Sequence, residues 1–373
     1  MCRSTGYNYL GYVKIVVQNK VMKIVRRVLF LGLASLLVAC QPSAPVTLPS
    51  TALPASMVPA LPTPTAFQPL PATPTAQVYP TFTPTIPPPT SEPNPLEKYT
   101  TTAMRSRTYG LGTIQMLDQI SDEGSFLRYK FRYPSDGIMV YGFLNIPKGE
   151  GPFPVVILLH GNYNTNGYQL MPYTTYYADR MTKKGYVVVH PNFRNFGESD
   201  KGDDFYRTGL ATDVLNLIPM IQLQGGQAGI LSMLDPNKIG LWAHSMGGEV
   251  ALRVLTITDQ VDAAVLYAPV SGDLLKIADF INSGDELNTP PELVSAISLS
   301  AAYGLITAPI QLYHGTGDIV VPVSWSEEAC NTLTTLGKNI DCTFYAGEGH
   351  NFSGNTIPRF EESFYSFFGS YLK

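Results

Sequence analysis

The sequence predicts an α/β fold: a mostly parallel central sheet with helices on both faces and a small helical insertion. Two observations predict it. Short runs that are apolar throughout recur along the chain, and most are separated by stretches in which apolar residues follow helical spacing. Such runs are typical of strands that are buried on both faces. The runs are 154–160, 186–191, 238–245, 262–269, 309–315 and 341–347, and the helical stretches are 168–185, 208–224, 247–255, 323–338 and 357–373.

The first 40 residues are predicted to be a signal peptide. One lysine and two arginines precede an apolar run, 28–39, that is too short to span a bilayer. The run ends in Leu-Val-Ala-Cys, which resembles the lipobox of bacterial lipoproteins, and the resemblance implies that Cys40 becomes a lipidated N-terminus outside the cell membrane. The alternative is an ordinary exported or once-spanning segment. Met22 opens a better signal than Met1 does, so the start of translation stays open.

Residues 41–96 are predicted to be a Pro/Thr-rich, extended tether. They hold 17 of the chain's 31 prolines and one charged residue, Glu92. Proline lacks an amide donor and restricts the residue before it, so neither a helix nor a central strand is expected here. Residues 97–373 are then left as one globular domain. The net charge is −4 and no basic cluster lies outside the signal, which argues against a nucleic-acid partner.

Within this domain, two segments depart from the alternation of strands and helices. Residues 126–148 alternate in polarity around a Pro-Ser-Asp-Gly turn, which predicts a β-hairpin. Residues 271–307 interrupt the last strands and predict a small helical cap. Its apolar residues either face a pocket or pack in the core: Leu274, Leu275, Ile277, Phe280 and Ile281.

Ser245 lies at the carboxyl end of a predicted strand, between small residues at 243 and 247. A serine between a strand and a helix can occupy a cramped turn that projects its hydroxyl into a cleft. The alternative is a purely structural role as a helix N-cap, a position that serine favours. A serine nucleophile needs a base and an orienting acid. Asp318 and His350 follow the next predicted strands, and the order Ser, Asp, His is that of the nucleophile-elbow hydrolases.

Three blocks of the sequence together resemble a known catalytic domain. They are DGIMVYGFLNIPKGEGPFPVVILLHG, LDPNKIGLWAHSMGGEVALR and APIQLYHGTGDIVVP followed by GEGHNF. They resemble the α/β-hydrolase domain of prolyl oligopeptidase and dienelactone hydrolase relatives over nearly all of residues 125–373. The resemblance implies the α/β-hydrolase fold and the triad. The proline-rich tether stands where prolyl oligopeptidases carry a gating β-propeller, which weakens the case for a peptidase.

An oxyanion hole needs two donors that are already in place. One is expected from the amide of Met246, and the family pattern His-Gly-x implies the amide of Asn162 as the other. His160 and His244 are interpreted as structural histidines. Glu249 is interpreted as a favourable charge at a helix N-terminus.

Two further positions stay open from the residues alone. Arg194 is interpreted as structural first, with substrate contact as the alternative. Cys330 and Cys342 belong to an exported segment, and sequence spacing leaves open whether they form a disulfide.

The sequence therefore predicts a secreted, lipid-anchored serine hydrolase that cleaves an ester through an acyl-enzyme and needs neither cofactor nor metal. The alternatives are an exo- or oligopeptidase and, from another class, a non-catalytic envelope-binding lipoprotein. The expected partners are a small ester or a short peptide and the membrane that holds Cys40. Oligomeric state and acyl size stay open.

Overall fold

The computed structural model describes residues 94–163, 167–281 and 287–373. The chain separates into two units, Met1–Thr85 and Ile86–Lys373, and all of the described residues belong to the second. The predicted signal peptide, Cys40 and the tether up to residue 93 lie outside the described residues. Among the residues that are described, no helix combines the length and apolarity needed to cross a bilayer.

The strands and helices alternate over most of the described chain. The strands are β1 (Gln115–Asp122), β2 (Phe126–Ser135), β3 (Ile138–Pro147), β4 (Phe153–Leu159), β5 (Val187–Pro191), β6 (Leu234–His244), β7 (Ala263–Tyr267), β8 (Ile310–Gly315) and β9 (Ile340–Tyr345). The α-helices are α1 (Thr101–Arg105), α2 (Thr175–Lys183), α3 (Thr208–Gln224), α4 (Met246–Ile257), α5 (Leu274–Ile281), α6 (Pro291–Ile297), α7 (Val323–Thr335) and α8 (Thr356–Leu372). A 3₁₀ helix over Leu299–Leu305 follows α6.

All nine strands form one sheet in the order β1-β2-β3-β5-β4-β6-β7-β8-β9. The pairs from β5 to β9 are parallel, whereas β1, β2 and β3 join antiparallel at one edge. The predicted fold class is therefore confirmed. The hairpin is the β2–β3 pair, with Ser135 opposite Ile138 across the turn.

Successive residues of β4 contact opposite faces of the sheet, as expected for a strand. One set of its side chains belongs to a core cluster with α3 and α4, and the other set belongs to a cluster with α2 and α8. Both faces of the sheet are thus covered, which explains why the central strands read as unbroken apolar runs.

Strand β1 was not predicted from the sequence, and one helix begins later than predicted. The residues of β1 are exposed or half-buried and show no alternation, because it is an edge strand that pairs only with β2. In the stretch 168–185, helix α2 begins only at Thr175, three residues after Pro172. Proline restricts the residue before it to extended backbone, which delays the helix.

Candidate active site

Ser245 occupies a strained turn at the carboxyl end of β6, directly before α4. Its φ is +58° and its ψ is −120°, a region that residues with a β-carbon rarely adopt. Such a conformation costs about 1–3 kcal/mol and persists only where the surroundings hold it. Here the Ser245 amide donates to the carbonyl of Tyr267 at 2.9 Å, and the Ser245 carbonyl accepts from Val270 at 3.1 Å.

The turn also depends on a close approach of two chain segments. A β-carbon on Gly247 would lie 2.4 Å from the carbonyl oxygen of Leu159, at the end of the neighbouring strand β4. Only glycine allows this contact. At the other small position, Ala243 is fully buried, and the turn forms with its methyl group in place.

Asp318 and His350 meet at the same edge of the sheet. Asp318 follows β8 and His350 follows β9, two neighbouring parallel strands. Nδ1 of His350 lies 2.7 Å from Oδ2 of Asp318. Because a carboxylate only accepts, Nδ1 carries the proton and Nε2 is the basic nitrogen. The backbone carbonyl of His350 also lies 3.1 Å from Nε2 of His244, the residue before Ser245.

Asp318 has a second histidine partner that the sequence did not reveal. Nε2 of His314 lies 3.0 Å from the same Oδ2, while Oδ1 accepts from the amides of Val320 at 2.7 Å and Val321 at 2.9 Å. Burial alone would raise the pKa of Asp318. The hydrogen bonds from His314 and His350 outweigh it and hold that pKa well below its usual range. The carboxylate is therefore ionised at any physiological pH.

The residues predicted to supply the oxyanion donors, Met246 and Asn162, follow β6 and β4. Met246 opens α4, so its amide is one of the helix N-terminal donors that lack an intrahelical acceptor. Asn162 is exposed and follows β4, which pairs with β6 up to Leu159 and Ala243. The two residues therefore follow the ends of adjacent parallel strands.

His160 is a buried structural histidine. Its Nδ1 lies 2.7 Å from the carbonyl of Gly161 and its Nε2 3.2 Å from the carbonyl of Asn192. Burial lowers the pKa of His160 to about 4, so the ring is neutral at pH 7. His244 is likewise buried, but its ring packs against that of His350, with centroids 4.7 Å apart.

Glu249 lies in the first turn of α4, as its sequence position indicated, but it also has ionic partners. It is fully buried, and its carboxylate forms ion pairs with Arg207 and, at 3.6 Å, with Arg253. The interpretation as a simple helix N-terminal charge is incomplete, because tertiary packing encloses the first turn of α4. Arg194 is buried and pairs with Asp213 at 2.8 Å, which fits a structural residue.

The cap segment and the cysteines have defined places as well. In α5, Leu274 and Ile277 are buried, whereas Leu275, Phe280 and Ile281 are exposed, so the apolar residues divide between the core and the surface. Residues 282–286 of the predicted cap lie outside the described residues. Cys330 of α7 and Cys342 of β9 form a disulfide with Cα atoms 6.5 Å apart. Over the described ranges, no three His, Cys, Asp or Glu side chains group as metal ligands.

The family model for the prolyl oligopeptidase family matches residues 172–373, more than half of the chain. The chain belongs to this family. It is a serine hydrolase with an α/β-hydrolase fold, and the match includes the segment that carries Ser245, Asp318 and His350.

Two curated bacterial proteins resemble the chain in sequence. The quorum-quenching protein AidA of Acinetobacter baumannii is 24% identical over 37% of this chain and 42% of its own length. The putative esterase YitV of Bacillus subtilis is 28% identical over 51% of this chain and 80% of its own length. The chain thus spans less than half of one curated relative and four fifths of the other.

Solved structures share the fold. Acetyl xylan esterase 1 from Thermoanaerobacterium sp. JW/SL YS485 superposes with a TM-score of 0.54 at 17% identity, covering 72% of this chain and 92% of that one. The acylaminoacyl peptidase of Pyrococcus horikoshii superposes with a TM-score of 0.56 at 21% identity, covering 67% of this chain and 42% of that one. At this identity the likeness supports the fold alone.

Proposed function

We propose that this serine hydrolase cleaves carboxylic esters, with Ser245 as nucleophile, His350 as base and Asp318 as the acid that orients it. One observation carries the proposal. The 2.7 Å hydrogen bond between His350 and Asp318 places the proton on Nδ1 and leaves Nε2 as the basic nitrogen, while the His350 carbonyl lies 3.1 Å from Nε2 of His244, the residue before the strained Ser245.

In the first half of the reaction, Nε2 of His350 takes the proton of the Ser245 hydroxyl, and Oγ attacks the ester carbonyl. The imidazolium that forms is stabilised by the ionised carboxylate of Asp318. The negative oxygen of the tetrahedral intermediate accepts hydrogen bonds from the amides of Met246 and Asn162. Collapse breaks the ester C–O bond, and His350 gives its proton to the leaving alcohol.

In the second half, water attacks the acyl-enzyme. His350 takes a proton from the water, and the tetrahedral intermediate then expels Ser245, which regains its proton from His350. The carboxylic acid leaves. Each proton is returned, so the cycle consumes one water and needs only this chain's own side chains and amides.

An ester is favoured over an amide because of the named likenesses. YitV is a putative esterase, and the match with this chain covers 80% of its length. The family to which the chain belongs is, however, named for a peptidase, prolyl oligopeptidase. A peptidase is therefore the second candidate.

Kinetics of the purified protein on p-nitrophenyl acetate, butyrate and octanoate and on aminoacyl p-nitroanilides test the proposal. We expect higher kcat/KM on an ester, and loss of about three orders of magnitude or more in Ser245→Ala. A fluorophosphonate probe should label the wild type and not Ser245→Ala. Preference for the anilides would favour the peptidase, and a folded wild type that takes up no label would favour a non-catalytic binding protein.

We further propose that the enzyme is exported and anchored outside the membrane through a lipidated Cys40. The apolar run before this cysteine and the sequence Leu-Val-Ala-Cys support it. Cells grown with a clickable palmitate analogue should incorporate the label into the wild type and not into Cys40→Ser. Label in both forms, or in neither, would count against the anchor while leaving the hydrolase proposal intact.

A further inference from the structure

A chain of hydrogen bonds links the two loops that flank Ser245. The amide of Gly161, after β4, lies 3.1 Å from the hydroxyl oxygen of Tyr173. That hydroxyl bonds Nδ1 of His244, and Nε2 of His244 lies 3.1 Å from the backbone carbonyl of His350. This series of hydrogen bonds connects the loop that carries the predicted oxyanion donor Asn162 with the loop that carries the proposed base, His350.

Simple donor and acceptor rules fix the direction of every bond. The carbonyl of His350 can only accept, so Nε2 of His244 carries a proton. Burial and the neighbouring His350 lower the pKa of His244 well below its usual range, so the ring is neutral and Nδ1 accepts. The hydroxyl of Tyr173 therefore donates to Nδ1, and its oxygen accepts from the amide of Gly161. No bond in the chain can be reversed.

The side chains of Tyr173 and His244 lie close to Ser245. A β-carbon built on Gly161 would lie 2.7 Å from the hydroxyl of Tyr173 and 2.9 Å from Cβ of Ser245, so the hydroxyl and the serine border the same small space. His244 is the residue before Ser245, and its ring packs on that of His350. Neither side chain is needed for proton transfer.

We propose that Tyr173 and His244 are positioning residues that fix the spacing between the base and the oxyanion hole. The inference rests on the proposed function. Tyr173 acts through the amide of Gly161, and His244 acts through the carbonyl of His350. Misplacement of a catalytic group by about 1 Å can cost about a hundredfold in rate, so a rigid link between the two loops has a measurable effect.

Tyr173→Phe is the first test, because it removes one hydroxyl and keeps the ring. We expect kcat on a p-nitrophenyl ester to fall about 10- to 100-fold while KM changes less than about threefold, with an unchanged melting temperature to within a few degrees. The matched control is Tyr176→Phe, three residues further along and exposed, which should keep wild-type kcat. A wild-type kcat in Tyr173→Phe would overturn the proposal.

His244 supplies the second test. His244→Gln keeps an N–H that can reach the carbonyl of His350, whereas His244→Leu keeps none, so kcat should fall less in the first variant than in the second. In the double variant Tyr173→Phe/His244→Leu, the two losses should not multiply, because each single change already breaks the same series of hydrogen bonds. Fully multiplying losses would contradict a linked pair.

Failure of this proposal can be told apart from failure of the proposed function. If the wild type hydrolyses esters and Ser245→Ala does not, the triad holds, and the tyrosine and histidine variants alone decide the positioning role. If the wild type neither turns over nor labels, both proposals fall together. Should His244→Leu not fold, the Tyr173→Phe result and its KM-against-kcat pattern still decide.

Discussion

A β-carbon on Gly161 would lie 2.9 Å from Cβ of Ser245, closer than such atoms ever approach. The same carbon would lie 2.7 Å from the hydroxyl of Tyr173, so two of its contacts would be too short at once. The loop after β4 therefore passes so near the serine that a single methyl group would separate the two.

Gly161→Ala is expected to lose about a hundredfold or more in kcat/KM, because the loop must move away from Ser245 and carry Asn162 with it. Steady-state kinetics on a p-nitrophenyl ester measures the loss. Gly304→Ala is the matched control, since a β-carbon at that position meets nothing within 4 Å. Equal activity in the two alanine variants would mean that the loop after β4 takes no part in catalysis.

The His314 side chain should affect the rate of hydrolysis through its contact with Asp318. His314→Leu removes one of the donors to Oδ2 and leaves the hydroxyl of Ser326, 2.6 Å from Nδ1 of His314, without that partner. We expect a loss of about 1–3 kcal/mol in the free energy of unfolding and about tenfold in kcat/KM.

Urea denaturation and steady-state kinetics on the same preparations measure the two losses. His314→Gln, which retains an N–H, should recover part of both. If the leucine variant matched the wild type in activity and stability, the hydrogen bond to Asp318 would have no energetic weight.

The meeting of the proposed triad residues at one edge of the sheet could be predicted because it depends on local sequence and strand order. Ser245, Asp318 and His350 each follow an apolar run, and the carboxyl ends of parallel strands meet at one edge of the sheet. The identity of their partners could not be predicted. Which histidine contacts Asp318, or which tyrosine contacts His244, depends on side-chain directions that only the folded loops define.

The burial of a charged side chain could not be predicted from the sequence either. Glu249 lies in the first turn of α4, where a charge near the helix dipole is a sufficient explanation from sequence alone. Its burial against Arg207 and Arg253 comes from elements distant in the chain. The edge strand β1 could not be predicted for a related reason. It is little buried, so its sequence shows no alternation of apolar and polar residues.

Asp204 should make stability depend on pH. Burial raises the pKa of Asp204 from its usual 3.8 to about 7, so the folded chain binds this proton more readily than the unfolded chain does. The contribution of Asp204 to the free energy of unfolding therefore falls as the pH rises from about 4 to about 7. Asp204→Asn carries no such charge, and its amide oxygen can still accept from the amide of Leu210, which lies 3.0 Å from Oδ1 in the wild type.

The measurement is urea denaturation of both proteins between pH 4 and pH 8. The free energy of unfolding of the wild type, relative to Asp204→Asn, should fall over that range and level off above pH 7. A flat difference would mean that the carboxyl of Asp204 ionises as it would in water.

The disulfide between Cys330 and Cys342 should stabilise the domain without supporting catalysis directly. It joins α7 to β9, which pairs only with β8 among the described strands, and it closes a loop with a sequence separation of 12. Closing a loop of this length contributes about 2–4 kcal/mol, chiefly by restricting the unfolded chain.

Reduction with dithiothreitol should therefore lower the melting temperature by several degrees while kcat/KM at 25 °C changes little. The double variant Cys330→Ser/Cys342→Ser should melt like the reduced wild type and show no further response to dithiothreitol. If reduction left the melting temperature unchanged, the crosslink would contribute nothing to stability; if it abolished activity in a protein that is still folded, β9 would need the bond to hold His350 in place.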